Sequence, residues 1–176
     1  MWTNAALNDN GVLTVSSTHK YGAPFTVDSI TDGLPNTFWH SEEAKVNEGP
    51  SWVNYALNNL QTITQVTVGV RQGLYTYKKN IIRKIIDDCC RKWYNNMCVT
   101  LNGSNGSELA KQCTSGDSGE PFLAQDKNNI IIPFDSPIND VKDIKISFED
   151  EEYGQVESLI VEGFLQTSKS FELSPF

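Results

Sequence analysis

Apolar residues along the chain recur at every second position in short runs, and turn-forming residues separate the runs. In residues 62–70, Val66, Val68 and Val70 share one face; Met97, Val99 and Leu101 do so in residues 97–101, and Ile144, Ile146 and Phe148 in residues 143–148. A period of two predicts antiparallel strands with these side chains inward and the intervening polar ones outward. Residues 129–134 hold an uninterrupted Ile130-Ile131-Ile132, which predicts a buried strand, and residues 158–165 predict a late strand buried on both faces. Asp32-Gly33, Asn58-Asn59, Asn102-Gly103, Ser115-Gly116 and Ser136-Pro137 predict turns between the strands. One stretch departs from this period. In residues 75–87, Ile81, Ile82, Ile85 and Ile86 alternate with Lys78, Lys79, Arg83 and Lys84, which predicts a short amphipathic helix or a loop packed on a sandwich. Many short strands with turn chemistry between them imply an all-β sandwich or barrel.

Composition narrows this picture. The chain has 176 residues, 39 % hydrophobic and 20 % charged, as suits one globular domain. The pattern assigns residues 1–165 to the sandwich and residues 166–176 to a Ser-rich tail. A net charge of -8 opposes nucleic acid and anionic membrane surfaces as general partners, and no apolar run is long enough to span a bilayer. Met1-Trp2-Thr3-Asn4-Ala5-Ala6 lacks the basic and apolar regions of a secretory signal, so the expectation is either an intracellular chain or one whose signal is lost. There are four cysteines, Cys89, Cys90, Cys98 and Cys113, an even number that permits disulfides without requiring an oxidising compartment. Cys98 and Cys113 bracket a short loop, and a bridge across it would add about 3 kcal/mol through chain entropy. Inside that loop, Asn102-Gly103-Ser104 and Asn105-Gly106-Ser107 are glycosylation sequons, usable only by a secreted chain; on these residues alone they read as an Asn-Gly loop.

Taken in order, several segments form a pattern. Ser29-Ile30-Thr31-Asp32-Gly33 with Thr37-Phe38-Trp39-His40-Ser41 resembles the Asp-Gly and Trp-His run of discoidin-like domains. Pro50-Ser51-Trp52-Val53-Asn54-Tyr55-Ala56-Leu57, then Ile63-Thr64-Gln65-Val66-Thr67-Val68-Gly69-Val70-Arg71, then Asp88-Cys89-Cys90 follow as they do in that group. The closing Val156-Glu157-Ser158-Leu159-Ile160-Val161-Glu162-Gly163 resembles its last strand. Over residues 4–164 the chain is similar to the F-type lectins (fucolectins) and to discoidin and coagulation-factor C-type galactose-binding-like domains. The resemblance implies a two-sheet antiparallel jelly-roll β-sandwich with one inserted helix or loop, a glycan or glycoprotein ligand held in loops at one end, and an extracellular or cell-surface location.

The resemblance also implies a site. F-type lectins hold fucose with a His and two basic residues. Arg71 matches the first basic position and Asp88 the motif Asp, with residues 72–87 inserted between them; Arg91 or Lys92 falls near the second. Cys89-Cys90 corresponds to the family's vicinal disulfide, with two reduced thiols beside a core strand as the competing reading, and a disulfide or an aromatic ring packs the apolar sugar face in that family. The ligand His should lie a few residues after Trp39-His40, where Glu42, Glu43, Ala44 and Lys45 stand, so the triad is incomplete and Lys45 is the remaining donor. His40 itself matches the structural His of the family. Calcium is the implied cofactor, held by Asp32 with the carbonyls of Ser29 and Leu34, by Ser41 or Glu42, and by Glu157; a plain Asp-Gly turn is the competing reading. Two histidines and no Cys-x-x-Cys argue against zinc, and no phosphate loop, Gly-x-Ser-x-Gly or His-Glu-x-x-His supports catalysis. Two functions stay open: a lectin-like carbohydrate-binding module, or a non-catalytic adaptor subunit of a larger assembly. The adaptor would dock other protein subunits through the basic segment that runs from Lys78 to Lys92 and holds Lys79, Arg83, Lys84 and Arg91.

Overall fold

The computed structural model of the chain describes residues 3–4, 11–18, 26–32, 37–42, 49–69, 96–114, 129–149, 155–156 and 158–165. Nearly all of them lie in strands: β1 (Thr3–Asn4), β2 (Val12–Val15), β3 (Trp39–His40), β4 (Ser51–Gly69), β5 (Met97–Gly103), β6 (Glu108–Cys113), β7 (Asn129–Phe148), β8 (Gln155–Val156) and β9 (Ser158–Leu165). Among the described residues one 3₁₀ turn, Val27–Ile30, buries Ser29 and Ile30. All the pairings are antiparallel.

Two strands carry the architecture. β4 has 19 residues and β7 has 20, and they pair along most of their length. A straight strand of that length would reach about 60 Å. A compact domain of this size has a radius of gyration of only about 16 Å. The β4–β7 ribbon therefore folds back on itself, at the place where its register breaks, between Ala56 and Gln65. Asn58, Asn59 and Leu60 are exposed there. Asp140, opposite, takes a left-handed φ of 60°, a conformation that Asp tolerates better than most side chains. Two side-chain bonds fasten the corner: Lys142 Nζ donates to the Asn58 carbonyl at 2.7 Å and Thr62 Oγ1 donates to Asn139 Oδ1 at 2.8 Å.

Each half of the ribbon seeds one sheet of the sandwich. The first half of β4 and the second half of β7 are flanked by β2 on one side and by β5 and β6 on the other. One row across this sheet runs Val15, Val53, Ile146, Val99. The other halves are flanked by β9 and then β1, with Val66 opposite both Ile132 and Val161. The inward faces of both sheets form one core that includes Val53, Tyr55, Leu101 and Ile144 from the first and Val66, Val68, Ile130 and Val161 from the second.

The expected inward residues Val66, Val68, Met97, Val99, Leu101, Ile144, Ile146 and Phe148 are all fully buried; Val70 and the inserted segment 72–87 lie outside the described residues, as does the tail 166–176. Two expectations are corrected. Asn58-Asn59 and Ser136-Pro137 do not end strands: they sit inside β4 and β7, in and near the corner, where irregular pairing needs turn-tolerant residues without ending the ladder. The last strand is not buried on both faces. β9 turns Leu159 and Val161 into the core and leaves Ile160 36 % exposed, because only one face of its sheet meets the other sheet. Likewise Ile130 and Ile132 are buried while Ile131 is half-buried.

Cys98 and Cys113 stand directly opposite each other on β5 and β6 and are joined by a disulfide across a sequence separation of 15. Among the described residues β6 pairs on one side, with β5, and this bond ties the two strands covalently. Replacing both cysteines by serine is expected to cost about 3 kcal/mol. Urea unfolding reads this as a lower midpoint; an unchanged midpoint would show that hydrogen bonds alone hold the hairpin.

Candidate functional site

The folded ribbon brings both of its ends to one pole. In the first sheet, Ser51, Met97 and Phe148 lie side by side, so β4 begins, β5 begins and β7 ends there. Glu149 N donates to the Asn96 carbonyl at 2.9 Å, and Thr114 N to the Met97 carbonyl at 2.8 Å, which adds the end of β6. In the second sheet, Gly69 pairs with both Asn129 and Ser158, so β4 ends and β7 and β9 begin together. Trp39 bridges the two groups: it pairs with Val156, two residues before β9, and its ring lies 6.4 Å from that of Phe148. The described residues that flank segments 43–48, 70–95, 115–128 and 150–154 thus converge on one end of the sandwich.

Trp39 is the strut of this pole. It is completely buried, and its Nε1–H donates to the Ser17 carbonyl at 2.9 Å, which answers the one polar group a buried indole carries. His40 is half-buried; its ring lies 6.5 Å from that of Phe38, and its Nδ1–H donates to the Ser41 carbonyl. Small hydroxyls fill the remaining polar positions. Ser51 Oγ donates to Ser41 Oγ at 3.0 Å with both residues buried, Ser16 Oγ accepts from Trp52 N at 3.0 Å, and Ser17 Oγ accepts from Glu42 N at 3.1 Å. These serines are what a reading of charged and aromatic residues overlooks. Their signal is their placement beside Trp39 and Trp52, whose backbone and ring donors they serve.

Asp32 follows the 3₁₀ turn, exposed, and its Oδ1 accepts from Thr37 Oγ1 at 2.9 Å, closing the segment that leads into Trp39. Ser29 is buried, with its hydroxyl 3.5 Å from that of Thr26. Among the described residues, no group of three or more His, Cys, Asp or Glu is placed to hold a metal ion. Arg71, Asp88, Cys89, Cys90, Arg91, Lys92, Lys45, Leu34 and Glu157 lie outside the described residues, as does the rest of the basic segment 78–92. No helix among the described residues is long and apolar enough to cross a membrane.

Solved structures share this arrangement over nearly the whole chain. A fucose-binding module of Streptococcus pneumoniae, SpX-3, superposes with a TM-score of 0.63 at 17% identity, over 90% of this chain and 96% of that one. The lectin domain of lectinolysin, solved with Lewis B antigen, gives 0.62 at 16% identity over 94% and 98%. The family 32 carbohydrate-binding module of C. perfringens NanJ, solved with galactose, gives 0.58 at 16% identity over 92% and 99%. The chain shares with these modules the fold of an antiparallel β-sandwich. No family model and no curated protein matches it.

In this sandwich the pole rests on Trp39, and the consequence is measurable. Trp39→Phe removes the Nε1 donor, leaves the Ser17 carbonyl without it and opens space beside Phe148. The loss is expected at about 2–3 kcal/mol. Equilibrium urea unfolding checks it, and a midpoint equal to that of the parent chain rules out Trp39 as the strut.

Proposed function

We propose that this chain is a non-catalytic carbohydrate-binding module that takes a fucose- or galactose-type glycan at its loop pole. The observation that supports this reading is the convergence of the strand ends Ser51, Gly69, Met97, Phe148 and Ser158 on one end of a rigid sandwich. A rigid end with variable connections is where such a fold accommodates ligands. The binding modules that it resembles, solved with Lewis B antigen and with galactose, add weight to the same reading. In this reading Arg71 is the principal donor. It follows the end of β4 at Gly69 by two residues, and a guanidinium presents a fixed fork of donors to adjacent sugar hydroxyls. Asp88, Arg91, Lys92 and Lys45 supply further polar contacts, and Cys89-Cys90 packs against the apolar face of the ring.

Arg71→Ala then weakens glycan affinity by about 1.5–3 kcal/mol, at least about tenfold, while the melting temperature stays where it was. A glycan array with fucosylated and galactosylated probes, followed by titration of the best one, measures this. A fall in melting temperature with unchanged affinity reassigns Arg71 to a structural role. An array on which the parent chain retains no glycan overturns the reading and favours the adaptor, with charge reversal across segment 78–92 as the test of protein docking.

Calcium belongs to the same reading. Asp32 offers an exposed carboxylate. In this reading oxygens of Ser29, Leu34, Ser41 and Glu157 would complete the shell of a hard cation. Millimolar calcium is expected to raise the melting temperature of the parent chain and leave Asp32→Ala unmoved. Identical melts in calcium and in chelator remove the cation from the proposal.

A further inference from the structure

The hairpin of β5 and β6 holds both sequons, and the structure places their asparagines differently. Asn102 lies within β5, half-buried, with Glu108 of β6 opposite on one side and Asp143 of β7 on the other. Asn105 stands at the tip, exposed, beyond the last paired residues. The tip is a closed turn: Gly103 N donates to the Ser107 carbonyl at 2.9 Å and Gly106 N to the Gly103 carbonyl at 3.0 Å. Gly106 has φ +76° and nothing within 4 Å of where a Cβ would stand, so the space around the tip is open. Ser107 N donates to Asn105 Oδ1 at 3.0 Å. That bond engages Oδ1 of the side-chain amide and not Nδ2.

We infer that Asn105, and not Asn102, is an N-glycosylation acceptor. The reaction joins Nδ2 to the anomeric carbon of an oligosaccharide carried on a lipid pyrophosphate. The N–C bond forms as the C–O bond to the pyrophosphate breaks, the electron pair leaves with the lipid pyrophosphate, and one Nδ2 proton passes to a base. A second feature of the same hairpin points to the compartment. The Cys98–Cys113 disulfide, with Cys113 exposed, is of the kind that forms and persists in oxidising, secretory surroundings, where such lipid-linked donors are used. The glycan also has a physical use. Among the described residues β6 ends its sheet, and its Leu109 is 39 % exposed, so a bulky hydrophilic group at the tip shields that strand from pairing with another chain.

The test secretes the full chain from a eukaryotic cell, releases N-glycans enzymatically in ¹⁸O water and maps the labelled aspartates by mass spectrometry, with the Cys98–Cys113 bond checked in the same digest as the sign of a folded chain. Label at position 105 alone is expected. Asn105→Gln and Ser107→Ala are each expected to lose the mobility shift of one glycan, and Asn102→Gln to keep it; Ser107→Ala guards against damage to the turn, because Asn105 and the backbone donor at position 107 remain. Disulfide-bonded chain without glycan overturns the inference, and so does label at position 102, alone or together with position 105. Secreted chain that lacks the disulfide also overturns it, since the argument for the compartment then fails.

Discussion

The backbone pairing of β4 with β7 is the constraint on which the rest of the structure depends. These two strands are too long to lie straight inside a domain of this size, so the ribbon bends where its ladder is irregular, around residues 57–61 and 139–141. The bend turns one run of hydrogen bonds into two facing sheets. It lets Val53 and Tyr55 from one half share a core with Val66 and Val68 from the other. It also returns both ends of the ribbon to the same pole. Polar residues gather at the corner: Asn58, Asn139, Asp140 and Lys142 stand where the backbone must leave regular pairing, Lys142 takes up the Asn58 carbonyl and Asn139 accepts from the Thr62 hydroxyl.

The pole built in this way combines a fixed base with varied connections. Trp39 fills the gap between the two sheets, with its ring by Phe148 and its indole N–H satisfied by Ser17. Buried Ser41 and Ser51 complete the base with short side chains that lose little rotamer freedom and bond to each other, and exposed Ser16 takes up the Trp52 N–H. A base of this kind tolerates changes in the segments it carries, because their ends are held by strands that pair elsewhere. Solved carbohydrate-binding modules at 16–17% identity share the fold although most of their residues differ from those of this chain.

The fold was largely legible in the sequence, and the exceptions have physical causes. Alternation identified the inward faces of β4, β5 and β7 because each has one face on the core, and a period of two records that directly. It misjudged Ile160 and Ile131, since apolar residues on an outer face leave the same trace as buried ones. It took Asn58-Asn59 and Ser136-Pro137 for turns because a corner within a strand and a turn between strands select the same residues. The length of β4 and β7 was hidden by those same residues. Of the candidate site, the Trp39-His40 frame was legible as structural, and the Cys98–Cys113 pairing as a bridge across a loop. The serine struts were not, because a buried serine leaves no mark in composition or period.

The two carbohydrate questions raised by this molecule are separated by the same strands that define it. β5 starts at the pole, where Met97 lies beside Phe148, and runs away from it to Gly103. At about 3.3 Å per residue this carries the hairpin tip roughly 20 Å from the pole. The disulfide at Cys98 and Cys113 ties β6 to β5 close to the pole, while Asn105 sits at the far end of the same hairpin. A glycan attached at the tip therefore lies clear of a ligand held at the pole and shares no side chain with it. The proposals rest on different residues and different chemistry, a covalent amide linkage at one end and reversible hydrogen bonding at the other. A chain that carries sugar at Asn105 and binds none at its pole remains consistent with this fold, and so does the converse, because the rigid β5–β6 ladder between them gives neither end a route to depend on the other.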